Sequence, residues 1–164
     1  MKILPLTCLT AMLSLTACGP QQNAYQNAGE APPPDPRAKQ LWGDNLADAK
    51  AQAAKNNKLV FVDFTGSDWC PPCMALHDYV LTQKEFLDFA EKNLELVVVD
   101  FPRNKPLDEK VELANRALAE QYNIKSFPTV LVLDVDGAIV HREEGFGNKN
   151  AKAYTADLKE ALGK

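Results

Sequence analysis

Two cysteines separated by two prolines, Cys70-Pro71-Pro72-Cys73, hold the clearest chemistry in this 164-residue chain. At this spacing a first helical turn brings the sulfurs within bonding reach and leaves the first one at the exposed helix end. Such a pair serves either dithiol–disulfide exchange or metal ligation. For exchange, Cys70 is the nucleophile and Cys73 the resolving thiol. The partial positive charge and free N–H groups of a helix N-terminus favour thiolate over thiol at Cys70. Pro71 suits the first helical position, where its missing N–H is not needed. Pro72 disfavours the helical region for Pro71 and removes a second N–H, so that of Cys73 is the nearest backbone donor to the Cys70 sulfur. A thiolate stabilised this modestly fits a reductant better than a strong oxidant.

His77 follows Cys73 by four residues and Cys70 by seven, so it shares a helix face with the pair. A copper or zinc carrier would use Cys70, Cys73 and His77, with His141 as a further ligand. Structural zinc wants four well-placed ligands and copper carriers offer softer ones, so exchange leads over metal binding. No metal and no cofactor beyond the Cys70–Cys73 redox pair are expected.

The elements that position the pair are legible in the pattern. Lys58 to Phe64 is an apolar, β-branched run ending in the small polar loop Thr65-Gly66-Ser67-Asp68, which delivers Trp69 and the dithiol to a helix from Met74 to Leu81. Upstream, Leu46 to Lys55 is Ala-rich and helical, with Asp44 or Asn45 as its cap and Asn56-Asn57 as its stop. Downstream, Thr82-Gln83-Lys84-Glu85 matches a capping box and opens a helix through Phe86, Phe89 and Ala90. Leu94 to Phe101 reads as a buried parallel strand. Asp108 caps a helix with Val111, Leu113, Ala114, Ala117, Leu118 and Tyr122 on its buried side. Thr129 to Leu133 and Ala138 to Val140 flank Asp134-Val135-Asp136-Gly137, a hairpin signal, and Ala151 to Leu162 closes the chain as an amphipathic helix. This order predicts an α/β domain with a central mixed β-sheet flanked by helices on both faces.

The N-terminal stretch has a different character. Met1-Lys2 is followed by an apolar run, Ile3 to Leu15, too short to span a bilayer as a mature helix, and it reads as an export signal. Leu15-Thr16-Ala17-Cys18 resembles the lipobox of bacterial lipoproteins, which implies cleavage after residue 17 and lipidation of Cys18. Gly19 rather than Asp after that cysteine implies the outer membrane. Of four cysteines, Cys8 would leave with the signal and Cys18 would hold lipid, so the mature domain keeps one close pair and no disulfide framework. Residues 18–37, with Pro32-Pro33-Pro34-Asp35-Pro36, are too polar and proline-rich to bury a core and read as a tether. Residues 38–164 suffice for one domain. The formal charge of −4 becomes −5 without Lys2, and with no basic cluster or aromatic ladder, nucleic acid is excluded as a partner.

Val62-Asp63-Phe64, Trp69-Cys70-Pro71-Pro72-Cys73, Val99-Asp100, Phe127-Pro128-Thr129 and Asp136-Gly137, in that order, resemble the thioredoxin superfamily, particularly its exported lipoprotein branch. The resemblance covers about Leu41 to Leu162. It implies a thioredoxin-like fold and a monomeric thiol:disulfide oxidoreductase that reduces or isomerises disulfides of client proteins, with a disulfide donor as the alternative. It implies a membrane thiol reductase as electron donor, on the periplasmic side. Pro128 matches the family's cis-proline packed against the dithiol, with the backbone of Phe127 offering strand-like hydrogen bonds to substrate. Asp63 matches the buried carboxylate that moves protons to and from the resolving thiol, and a carboxyl among apolar neighbours on a central strand has the raised pKa this needs. Trp69 precedes the nucleophile as in the family and is either a substrate platform or a cover over the core. Three departures are visible: a loop from Asp63 to Cys70 one residue longer than in thioredoxin, Leu96 in place of a lysine, and Asp78 in place of a helix-kinking proline.

Overall fold

The computed structural model describes residues 30–164. The expected signal (1–17), the lipid-bearing Cys18 and most of the tether lie outside the described residues. Among those described, no helix is long and apolar enough to cross a membrane.

A five-stranded sheet runs in the order β1-β3-β2-β4-β5, with β1 (Trp42–Gly43), β2 (Leu59–Thr65), β3 (Leu94–Asp100), β4 (Thr129–Leu133) and β5 (Ile139–Glu144). β1 and β2 lie parallel to β3, while β4 is antiparallel to β2 and β5 to β4. The sheet is therefore mixed, as the sequence predicts. The helices are α1 (Ala38–Leu41), α2 (Leu46–Asn56), α3 (Pro71–Leu76), α4 (Lys84–Asn93), α5 (Glu109–Gln121) and α6 (Ala151–Ala161).

Strand alternation sorts the core into two layers. Val60, Val62 and Phe64 of β2 join Val97, Val99, Leu131 and Leu133 on the face covered by α2 and α5. Phe61 joins Leu96, Val130 and Val132 on the opposite face, against Leu76, Phe86, Leu87 and Tyr154 from the α3, α4 and α6 side. Both faces of β2 are thus dry, which is why its sequence is a continuous apolar run. One residue, Asp63, interrupts it.

The caps follow simple chemistry. Asn45 accepts hydrogen bonds from the N–H groups of Ala47 and Asp48, Asn57 ends α2 in the left-handed conformation, and Asp108 caps α5 through the Lys110 N–H. Asp134 Oδ1 takes the N–H groups of Asp136 and Ala138, and Gly137 at φ 93° closes the β4–β5 hairpin.

Three expectations are corrected. Thr82 does not cap α4; the cap position is Gln83, without a side-chain bond. The Thr82 hydroxyl and N–H both bond to the His77 carbonyl, closing a π-helical turn over His77–Leu81. That turn bends the chain between α3 and α4 by widening the helix rather than by a proline. On α5, Tyr122 is buried and Leu118 partly so, as expected, but Val111, Leu113, Ala114 and Ala117 are exposed, and Asn115 is buried among them. Its apolar residues lie all round the helix, and Asn115 goes inward because its amide donates to the Asp100 carbonyl. Finally, α1 and β1 were not anticipated: Trp42 packs edge-on to Phe61 and parallel to Phe86. Within the stretch read as tether, Arg37 forms ion pairs with Asp35, Asp88 and Glu91, so these residues rest on α4.

Candidate active site

The dithiol sits where β2 ends. β2 and β3 finish together, with Thr65 opposite Asp100, and the Thr65 carbonyl accepts the Phe101 N–H. The chain then crosses from β2 to α3 through Gly66-Ser67-Asp68-Trp69. Asp100 fastens this crossing: Oδ1 accepts the Ser67 N–H at 2.9 Å and Oδ2 the Ser67 hydroxyl at 2.6 Å. The Cys70 N–H bonds to the Gly66 carbonyl, which closes the loop on itself.

Cys70 occupies the N-cap of α3, with Pro71 and Pro72 as the first two helical residues. The two cysteines are disulfide-bonded with Cα atoms 5.2 Å apart. Both are buried, Cys70 at 4% exposure the more accessible and Cys73 at 1% the less. Pro71 and Pro72 have no N–H, and the N–H groups of Cys73 and Met74 both bond to the Cys70 carbonyl. This helix end has few donors to offer a thiolate.

Asp63 lies below the pair, 3% exposed, with Oδ1 lacking any hydrogen-bond partner. Burial, and secondarily the charge of Asp100, pushes its carboxyl up to about 7. A cleft of about 390 Å³ joins it to Cys73 and is walled by Thr65, Ser67, Met74, His77, Asp78 and Lys105. Asp63 and Cys73, the base and resolving thiol expected from the sequence, therefore share one cleft. Tyr154 faces the same region, its phenol kept protonated by burial and by the charges of Glu143 and Asp63.

The Phe127–Pro128 bond is cis. Thr129 pairs with Phe64, which sets Pro128 beside the end of β2, next to the crossing that bears the thiols. Phe127 meets Trp69 edge-to-face at 5.8 Å and Phe101 at 5.2 Å. Trp69 is half-buried and donates its indole N–H to the Phe101 carbonyl at 2.7 Å. It rests on Gly66, where a Cβ would come within 2.5 Å of the indole.

The metal alternative finds no support in the geometry. Among the described residues no three His, Cys, Asp or Glu side chains are placed to hold an ion. His141 is on β5, separated from β2 by β4, while His77 bonds through Nδ1 to Asp78 at 2.7 Å. Sequence reasoning missed Ser67, Asp68, Asp100 and Arg103, whose pairing spans more than thirty positions. Only the strand register brings them together.

Comparison with known proteins agrees with this geometry. Residues 46–160 match the model of the thioredoxin-like domain family, and the chain belongs to that family. It is 31% identical over 151 residues to the disulfide bond reductase DsbH of Chlamydia pneumoniae, covering 92% of this chain and 90% of that protein. Among solved structures it resembles a DsbH oxidoreductase (TM-score 0.70, 31% identity, 85% of this chain and 98% of the other). It also resembles the reduced C-terminal domain of DsbD from Neisseria meningitidis (TM-score 0.53, 26% identity, 74% and 99%). The protein is a thiol:disulfide oxidoreductase of thioredoxin-like fold, with its redox centre in its own cysteines and no cofactor required.

Proposed function

We propose that the protein works as a reductant: Cys70 thiolate attacks a client disulfide, forming a mixed disulfide and releasing one client thiolate. Cys73 then attacks the Cys70 sulfur, which frees the second client thiol and leaves Cys70–Cys73 oxidised. Asp63 takes the Cys73 proton in that second step. Two electrons pass to the client, and a membrane thiol reductase restores the dithiol.

The observation that carries the direction is the double proline at the start of α3. With no N–H at Pro71 or Pro72, and those of Cys73 and Met74 bonded to the Cys70 carbonyl, the Cys70 thiolate is weakly stabilised. A dithiol whose thiolate is poorly stabilised holds its electrons less tightly and has a low potential. The name of the Chlamydia relative, a disulfide bond reductase, supports the same direction. Pro128 and Phe127 would align the client backbone, with Trp69 beside them. The Met1–Gly19 sequence supports export, lipidation at Cys18 and, through Gly19, placement at the outer membrane on the periplasmic side.

The equilibrium with glutathione buffers, read by thiol alkylation of the purified chain, tests the direction. A potential near about −270 mV is expected, and one near about −120 mV would make the protein a disulfide donor. Fatty-acid labelling in cells, lost in Cys18→Ser, tests the anchor.

A further inference from the structure

Arg103 lies over Trp69, its guanidinium carbon 3.6 Å from the ring centroid. The loop that presents it is built into the thiol crossing. Asp68 accepts the N–H groups of Arg103 and Asn104 at 2.9 and 2.8 Å, and the Asn104 side-chain amide donates back to the Asp68 carbonyl at 3.2 Å. These backbone bonds, with the nearby charge of Lys105 and no pairing with the guanidinium, hold the Asp68 carboxyl below its ordinary range. Among the described residues, carboxylates pair with Arg37, Lys58, Lys84, Arg116, Arg142 and Lys149, and none pairs with Arg103. Lys105, on the wall of the Cys73 cleft, adds a second positive group.

The result is a cation held in place and left unpaired, on the tryptophan that adjoins the nucleophile. The ring contact holds the guanidinium over the indole, and with no carboxylate paired to it its N–H donors stay available for a bidentate grip on a carboxylate. A side chain already fixed loses less freedom on binding. Trp69 also touches Phe127, so the cation borders the surface where a client strand would lie.

We infer that Arg103 is a specificity-determining residue, which selects clients with an acidic side chain beside the cysteine that Cys70 attacks. This rests on the exchange activity proposed above. It is tested with cyclic peptides closed by one disulfide and differing only in the residue next to the attacked cysteine: Glu, Gln or Lys. For the reduced wild-type chain, consumed one for one as its dithiol is oxidised, the second-order rate constant for peptide reduction falls in the order Glu, Gln, Lys, by about threefold per step, as partly exposed charge pairs allow. High salt narrows the spread. Arg103→Lys keeps the order, Arg103→Gln brings the Glu and Lys peptides together, and Arg103→Glu inverts them. An unchanged order in Arg103→Gln and Arg103→Glu overturns the inference. So does an equal fall for all three peptides, the mark of a residue that only props up Trp69. If the wild-type chain reduces none of the peptides and Cys73→Ala traps no mixed disulfide with any of them, the exchange reading itself fails.

Discussion

The two faces of β2 are equally buried and chemically opposite. Toward α2 and α5 the strand presents Val60, Val62 and Phe64, each 0% exposed. Toward α3, α4 and α6 it presents Phe61, then Asp63 with an unbonded carboxyl oxygen, then Thr65. The first face stabilises the fold and does no chemistry. The second gives up stability at one position, because a buried carboxyl without a partner is costly when ionised, and gains a group that exchanges a proton near neutral pH. The difference between these faces shows where the molecule has placed its strain.

Breaking the chemistry without touching either face needs only the nucleophile. Cys70→Ser is expected to lower the rate of disulfide reduction by about 10⁴-fold or more with the fold retained, read by client thiol release. A residual rate within tenfold of wild type would mean that Cys70 is not the attacking group.

On the apolar face, Phe64→Ala should lower unfolding free energy by about 3–5 kcal/mol at every pH, through lost burial and the cavity left behind. Denaturant midpoints at acid and alkaline pH check this.

Asp63→Asn should do the reverse, and only over part of the pH range. The folded state holds the Asp63 proton up to about 7, whereas the ordinary value is 3.8. Between these values the folded state binds more protons than the unfolded one, so stability is fullest below about pH 4 and falls as pH rises through 7. The loss approaches about 4 kcal/mol in alkaline solution. The asparagine variant removes that slope, so it is the more stable protein at pH 8 and little changed at pH 4. It should also slow release of the mixed disulfide by about 10²-fold, as loss of a general base does. Equal slopes in wild type and variant would place the titration elsewhere.

The smallest effect belongs to the loop fastening. Ser67→Ala removes one hydroxyl from Asp100 and leaves the backbone bond, with an expected loss of about 1–2 kcal/mol in stability. The companion variant Asp100→Asn also removes the charge that helps raise Asp63, so its pH–stability curve should shift to lower pH.

Much of the α2/α5 face was legible in the sequence, because continuous apolar strands and capped helices announce themselves within a few residues. The same holds for the dithiol at the strand end and for Asp63 amid apolar neighbours. What stayed hidden depends on contacts between distant positions. Ser67 with Asp100, Asp68 with Arg103 and Asn104, and Trp69 with Phe101 are aligned only once β2 and β3 adopt their parallel register. The α5 pattern misled for a related reason: Asn115 is buried by a bond to Asp100, which helical periodicity does not reveal. Trp42 joined the core from a two-residue strand too short to leave a periodic trace.

The chain has two tryptophans, and their surroundings make it its own optical gauge. Trp69 adjoins Cys70 in the chain and has a cation on its face, so its emission is expected to change with whether the neighbouring sulfurs are bonded. Trp42 is packed in a separate aromatic cluster, against Phe61 and Phe86, and should supply a steady background. Turnover can therefore be followed in the unlabelled protein by light alone, with Trp69→Phe as the blank.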